Sequence, residues 1–131
     1  MNLQIKVGLK NLIKMKYILA FVSILLGSFA QYLLKKGITD VTRVSNGFIQ
    51  LLKNSVSNIS LIIGLSFYAL SMVFWLYVLS KMQLSKAYPM VSLGYVFTMF
   101  LGYFLLNESL SAFKLIGIML IICGVIFISR G

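Results

Sequence analysis

The sequence predicts an all-α membrane protein with four transmembrane helices, and three observations predict it. Of 131 residues, 60% are hydrophobic and 11% charged, with a mean hydropathy of +1.00. Soluble domains hold roughly 45–50% apolar and about 25% charged residues. The apolar residues gather in stretches near 17–34, 59–79, 87–106 and 112–129. Each is close to the roughly 20 residues that cross a bilayer as a helix. The charged residues fall between these stretches, where membrane-flanking anchors belong.

Composition also excludes classes. The net charge is +10, from 12 Lys+Arg against 2 Asp+Glu. Nucleic acid is not the expected partner, because the basic residues form no single patch for a phosphate backbone. Histidine is absent and Cys123 is the only cysteine. A zinc site needs about four such ligands, so neither a metal nor another cofactor is expected. Asp40 and Glu108 are the only carboxylates. With no nucleophile–base pair available, an enzyme is the least suitable class.

Residues 1–16 form a basic segment, with Lys6, Lys10, Lys14 and Lys16 set among Leu3, Ile5, Val7, Leu9, Leu12 and Ile13. It reads either as a basic interfacial helix or as a loose tail. A basic front before an apolar stretch also fits a signal peptide. No obvious small-residue cleavage site follows and three more spans do, so the stretch is read as a retained helix opening the 17–131 membrane domain.

The first span carries a stripe. Ser23, Gly27, Gln31 and Lys35 recur at steps of four and share one helix face. Polar groups in a span face protein or water, because lipid cannot satisfy them. The stripe suits either packing, with Ser23 and Gly27 as a close-contact notch and Gln31 making a packing hydrogen bond, or a substrate-facing wall. Gly37 is a plausible helix stop. Val44, Phe48, Leu51 and Leu52 then recur at helical spacing, which predicts a short helix on the membrane surface. Asn54 and Asn58 are candidate turn or cap residues.

In the second span Gly64, Tyr68, Ser71 and Trp75 share a face, small at one end and aromatic at the other. Trp75 suits an interfacial belt or a cavity wall. A turn over 80–86 leads to the third span, where Pro89 either sits in the first turn or interrupts the helix and frees carbonyls. Gly94, Thr98 and Gly102 make a small face for close helix contact. Leu105–Ser111 is a tight turn in which Glu108 caps the next helix or pairs with a lysine. The fourth span carries Gly117 and Gly124 on one face, a helix–helix seam.

Basic residues set the orientation. An inside N-terminus puts Lys6, Lys10, Lys14, Lys16, Lys81, Lys86 and Arg130 inside and Lys35, Lys36, Arg43, Lys53 and Lys114 outside, seven against five. The positive-inside rule then favours cytoplasmic N- and C-termini, by a narrow margin.

The runs Ser71-Met72-Val73-Phe74-Trp75-Leu76-Tyr77-Val78-Leu79, Ala87-Tyr88-Pro89-Met90-Val91-Ser92-Leu93 and Asn107-Glu108-Ser109-Leu110-Ser111 share a pattern with a known group, as does Ser28-Phe29-Ala30-Gln31 with the lysines after it. On these residues the chain resembles the small subunits of the bacterial undecaprenyl-phosphate–aminoarabinose flippase, in the EamA-like part of the drug/metabolite transporter superfamily. The resemblance covers nearly everything except residues 1–16 and part of 38–55. It implies a dimer with a similar four-helix subunit, identical or different, in a bacterial or archaeal cytoplasmic membrane. It also implies translocation of a polyprenyl-phosphate-linked sugar. Gln31, Lys35, Tyr68, Trp75, Tyr88, Pro89 and Ser92 are the candidate substrate-binding residues: a lysine for the phosphate, hydroxyls and amide for the sugar.

The chain is more distantly similar to the small multidrug resistance proteins, four-helix subunits that work as antiparallel dimers. Their membrane-embedded glutamate aligns with Gly27 and their cavity tryptophan with Val91. No acidic residue occurs before Asp40. An exporter of cationic drugs is therefore the weaker alternative, beside a non-transporting membrane partner.

Overall fold

The computed structural model describes residues 3–130, apart from the side chains of residues 3–7, Leu9 and Ser129. It is all α-helix: α1 (Leu3–Val44), α2 (Phe48–Ser57), α3 (Ile59–Lys81), α4 (Leu84–Val91), α5 (Leu93–Leu106) and α6 (Ala112–Arg130). Three helical stretches are long and apolar enough to cross a membrane, in α1, in α3 and across α4–α5. The apolar part of α6 is shorter. Large apolar side chains point outward throughout: Phe104 is 68% exposed, Phe113 86% and Phe127 78%. In water such a surface would aggregate; in lipid it is the solvated one.

The first helix is longer than expected. Neither a separate interfacial helix nor a loose tail precedes residue 17, because α1 runs unbroken from Leu3; Met1, Asn2 and the Lys6 side chain lie outside the described residues. Nor does Gly37 stop the helix. It is buried, and a Cβ there would stand 2.7 Å from Leu61 Cγ and 3.0 Å from Asn58 Oδ1. The missing side chain thus serves close approach of α3 rather than a left-handed cap. At about 1.5 Å per residue, the 42 residues of α1 reach about 63 Å, twice a bilayer core of about 30 Å. The stretch between Lys16 and Lys35 matches the core, and both ends project beyond it.

Because α1 continues to Val44, the second helix starts at Phe48, later than the apolar periodicity suggests. Gln50 reaches back to accept from the Asn46 N–H at 3.1 Å, and Asn54 donates to Ser45 Oγ at 3.0 Å. Asn58 caps α3 as predicted, its side chain accepting from the Leu61 N–H at 3.1 Å.

α1 and α3 form the main packing contact, and small residues make it. Ser23 Oγ donates to the Ser71 carbonyl at 3.1 Å, and Ser71 Oγ donates to the Ser23 carbonyl at 2.8 Å. Both serines are buried. A Cβ on Gly27 would stand 2.9 Å from Ser71 Oγ. The Ser23–Gly27 notch is therefore a helix crossing. Below it Ala20, Val78, Met82 and Ala87 make a small buried cluster.

The turn before the third span is shorter than 80–86, since α3 runs to Lys81 and α4 starts at Leu84. Pro89 lies inside α4, not in its first turn. It has no N–H for the Ser85 carbonyl, and the chain tightens one turn later: the Ser92 N–H bonds the Pro89 carbonyl at 3.2 Å, three residues back. The helix resumes at Leu93 after this break. At its far end Asn107 takes left-handed φ 54°, ψ 35°, and the Glu108 N–H returns to the Gly102 carbonyl at 3.0 Å. Asparagine tolerates that conformation better than other residues with a Cβ. Ser111, not Glu108, caps α6, accepting from the Lys114 N–H at 3.3 Å.

Candidate functional site

α1 packs on both α3 and α5, while α6 packs on α4 and α5. This arrangement leaves two hollows on either side of α5. The first, about 410 Å3, lies between α1, α3 and α5. Its α1 wall is the stripe of Ser23, Gly27 and Gln31, joined by Ser28; α3 contributes Tyr68, Ser71 and Trp75. Gly94 and Tyr95 close it from α5. The second, about 500 Å3, opens between α1, α5 and α6 and includes Gln31, Lys35, Thr98, Glu108 and Lys114. Ser28, Gln31 and Tyr95 border both, so the hollows adjoin along α1.

α5 comes alongside α1 at Gly94. The Gly94 carbonyl accepts from Ser28 Oγ at 3.4 Å, and that hydroxyl also donates to the Ile24 carbonyl at 2.8 Å. A Cβ on Gly94 would meet Ile24 and Ser28 at 3.6 Å, in ordinary contact. Trp75 is half-buried, its inner edge against the Ala20–Val78 cluster. At the opposite end from Lys35, Lys16 lies 5.6 Å over the Tyr17 ring and Lys81 6.0 Å over the Tyr77 ring. Such pairs anchor helices where headgroups meet the core.

The structure thus brings Gln31, Tyr68 and Trp75 around one hollow and adds Lys35 in the next. Tyr88, Pro89 and Ser92 line neither; Tyr88 is 58% exposed. Ser28, Tyr95, Glu108 and Lys114 were not singled out as site residues from sequence. Ser28 lies off the four-residue stripe. The other three are placed by the fold, with no local pattern to mark them. Among the described residues no group of three or more His, Cys, Asp or Glu stands together to hold a metal.

An all-α multi-pass membrane protein with adjoining, largely apolar hollows that carry a few polar side chains between its helices is built as a transporter is. The comparisons identify the group. The EamA-like transporter family matches residues 47–130. The chain is 37% identical over 121 residues to the probable 4-amino-4-deoxy-L-arabinose-phosphoundecaprenol flippase subunit ArnF of Photorhabdus laumondii, covering 87% of this chain and 96% of that relative. It is 40% identical over 124 residues to the probable ArnF subunit of Proteus mirabilis, covering 89% and 93%. A shorter match, 38% over 61 residues, is to the probable ArnE subunit of the same flippase in Pseudomonas fluorescens, covering 47% and 54%. No solved structure matches. The chain belongs to the EamA-like transporter family, as a relative of its ArnF-type flippase subunits, and resides in the bacterial inner membrane.

Proposed function

We propose that the chain is a flippase subunit that carries a polyprenyl-phosphate-linked aminosugar across the inner membrane. The observation that carries the reading is the near-full-length match to flippase subunits. The site suits such a cargo. A lipid-linked sugar has a long apolar tail, an anionic phosphate and a polar head. On this reading the tail stays in lipid while the head passes between helices. Gln31 and Tyr68 offer hydrogen bonds to the sugar, Trp75 a face for its ring, and Lys35 a charge for the phosphate. No covalent bond is made or broken, so the protein acts as a transporter rather than an enzyme and requires no cofactor. Gly27 and Val91, which align with the glutamate and tryptophan of the small multidrug resistance proteins, both border the first hollow. The first hollow has no carboxylate at the place of that glutamate, which disfavours proton-coupled export of the small multidrug resistance type.

On this reading α6 is the fourth span. Its 19 residues reach about 28 Å, enough to cross. Four spans put both termini on one face, and the basic-residue balance makes that face cytoplasmic. α2, with no buried residue, lies on the opposite membrane surface. The subunit pairs with a similar small chain, and the ArnE match suggests a different one. Tyr88, Pro89 and Ser92 then join the site across the pair.

Reconstituted vesicles test the transport. The lipid-linked aminosugar is loaded, and a membrane-impermeant amine reagent reports the leaflet it occupies, with this chain alone and with an ArnE-type partner. Expected is time-dependent movement of the amine between leaflets. Movement of a cationic dye with no lipid movement would replace the flippase by an exporter. Activity that resides wholly in the partner would make this chain a non-transporting subunit.

Pairing has its own test. Nothing lies within 4 Å of a Cβ built on Gly117 or Gly124, so both are open for a partner helix. Gly117 also borders the second hollow, which leaves Gly124 as the cleaner probe. Gly124→Leu is expected to reduce crosslinked dimer severalfold while the thermal melt of the chain stays within about 1 °C. Unchanged crosslinking would remove α6 as the seam.

A further inference from the structure

Glu108 is one of only two carboxylates in the chain. It sits in the α5–α6 turn, held there by the left-handed Asn107 and by its own N–H on the Gly102 carbonyl. Its carboxylate folds back over Gly102: a Cβ on that glycine would stand 2.8 Å from Glu108 Oε2. Gly102 therefore gives the carboxylate room against the wall of the second hollow. Lys35 from α1 and Lys114 from α6 border the same hollow, with Gln31 farther along the α1 wall. Lys114 Nζ donates to the Ser109 carbonyl at 2.8 Å, a bond that orients its charge without cancelling it.

We propose that this hollow is the headgroup site and that Glu108 recognises a free amine on the sugar. The inference rests on the flippase reading and specifies its substrate. Two ammonium groups and one carboxylate complement a head that carries one phosphate anion and one ammonium. Lys35 and Lys114 bind the phosphate; Glu108 accepts hydrogen bonds from the sugar amine. A head whose amine is acylated keeps the anion and loses the cation. It leaves the carboxylate without its cation in a hollow that also takes the phosphate, and like charges so placed repel. The site thus discriminates by charge as well as by shape.

The test measures binding of paired lipids to the full-length chain in detergent, by native mass spectrometry. One lipid carries a phosphate-linked aminosugar and the other its N-acetyl form. The parent is expected to prefer the free amine. Glu108→Gln keeps the side chain's size and the backbone turn, and should shrink that preference about tenfold; the exposed position puts it at the lower end for a charged hydrogen bond. Lys114→Gln should weaken both lipids alike, since both carry phosphate. An undiminished preference in Glu108→Gln, or an equal loss for both lipids in that variant, would overturn the assignment and make Glu108 a turn residue. Binding of neither lipid by the parent, alone or with an ArnE-type partner, would instead remove the flippase reading beneath it.

Discussion

Gly64→Leu is expected to abolish the folded chain. Gly64 is buried on α3 where α1 crosses, and a Cβ there would stand 3.1 Å from Leu33 Cβ, Leu34 Cγ and the Leu34 backbone nitrogen. A flexible side chain can turn aside, but a backbone nitrogen within a helix cannot. Overpacking a tight site costs about 1–3 kcal/mol, and leucine adds three more carbons beyond the first. The only relief is separation of α1 from α3. That separation strains the paired serine bonds two turns along the same face, each worth about 0.6 kcal/mol on average in a membrane protein. It also unpacks the Ala20–Val78 cluster. Thermal unfolding in detergent should show loss of the cooperative transition for Gly64→Leu and a smaller downward shift for Gly64→Ala. A parent-like melt of Gly64→Leu would mean that α1 and α3 do not cross here. The contrast with Gly124→Leu separates a glycine that packs the chain from one that faces outward.

That contrast marks what the sequence could and could not reveal. Hydropathy located the apolar stretches because lipid demands long unbroken ones, and the Asn58 cap was legible because its signal is local. The stripe of Ser23, Gly27, Gln31 and Lys35 was legible too, since helical spacing alone puts those residues on one wall. Gly37 misled because glycine marks both helix ends and close helix approaches; only the position of Leu61 decides which. α2 began late because its predicted first apolar residue, Val44, belongs to a longer α1. Pro89 left two placements open, and the break fell one turn beyond it, at Ser92. Glu108 was noticed only as a cap candidate or as the partner of an unnamed lysine. It shares a hollow with Lys35 across more than 70 residues of sequence, and only because α5 returns alongside α1.

Gln31→Ala is expected to lower transport of the lipid-linked aminosugar by about 10- to 100-fold at equal protein level. Gln31 is one of three residues bordering both hollows, and it alone of them carries both amide donors and a carbonyl acceptor. Any head moving between the hollows passes it. Losing hydrogen bonds to a charged or polar cargo costs about 1.5–3 kcal/mol, which gives that range. Packing does not explain the residue as it explains Ser23 and Gly27: Gln31 is exposed within the chain, and the α1–α3 crossing is already satisfied by the two serines. The variant should therefore melt like the parent, which separates this effect from that of Gly64→Leu. Tyr88→Phe supplies the comparison. Tyr88 lines neither hollow of a single chain, so it should slow transport only where chains are paired. If Gln31→Ala vesicles move the lipid at the parent rate, the stripe is a packing surface at every position and the path lies elsewhere.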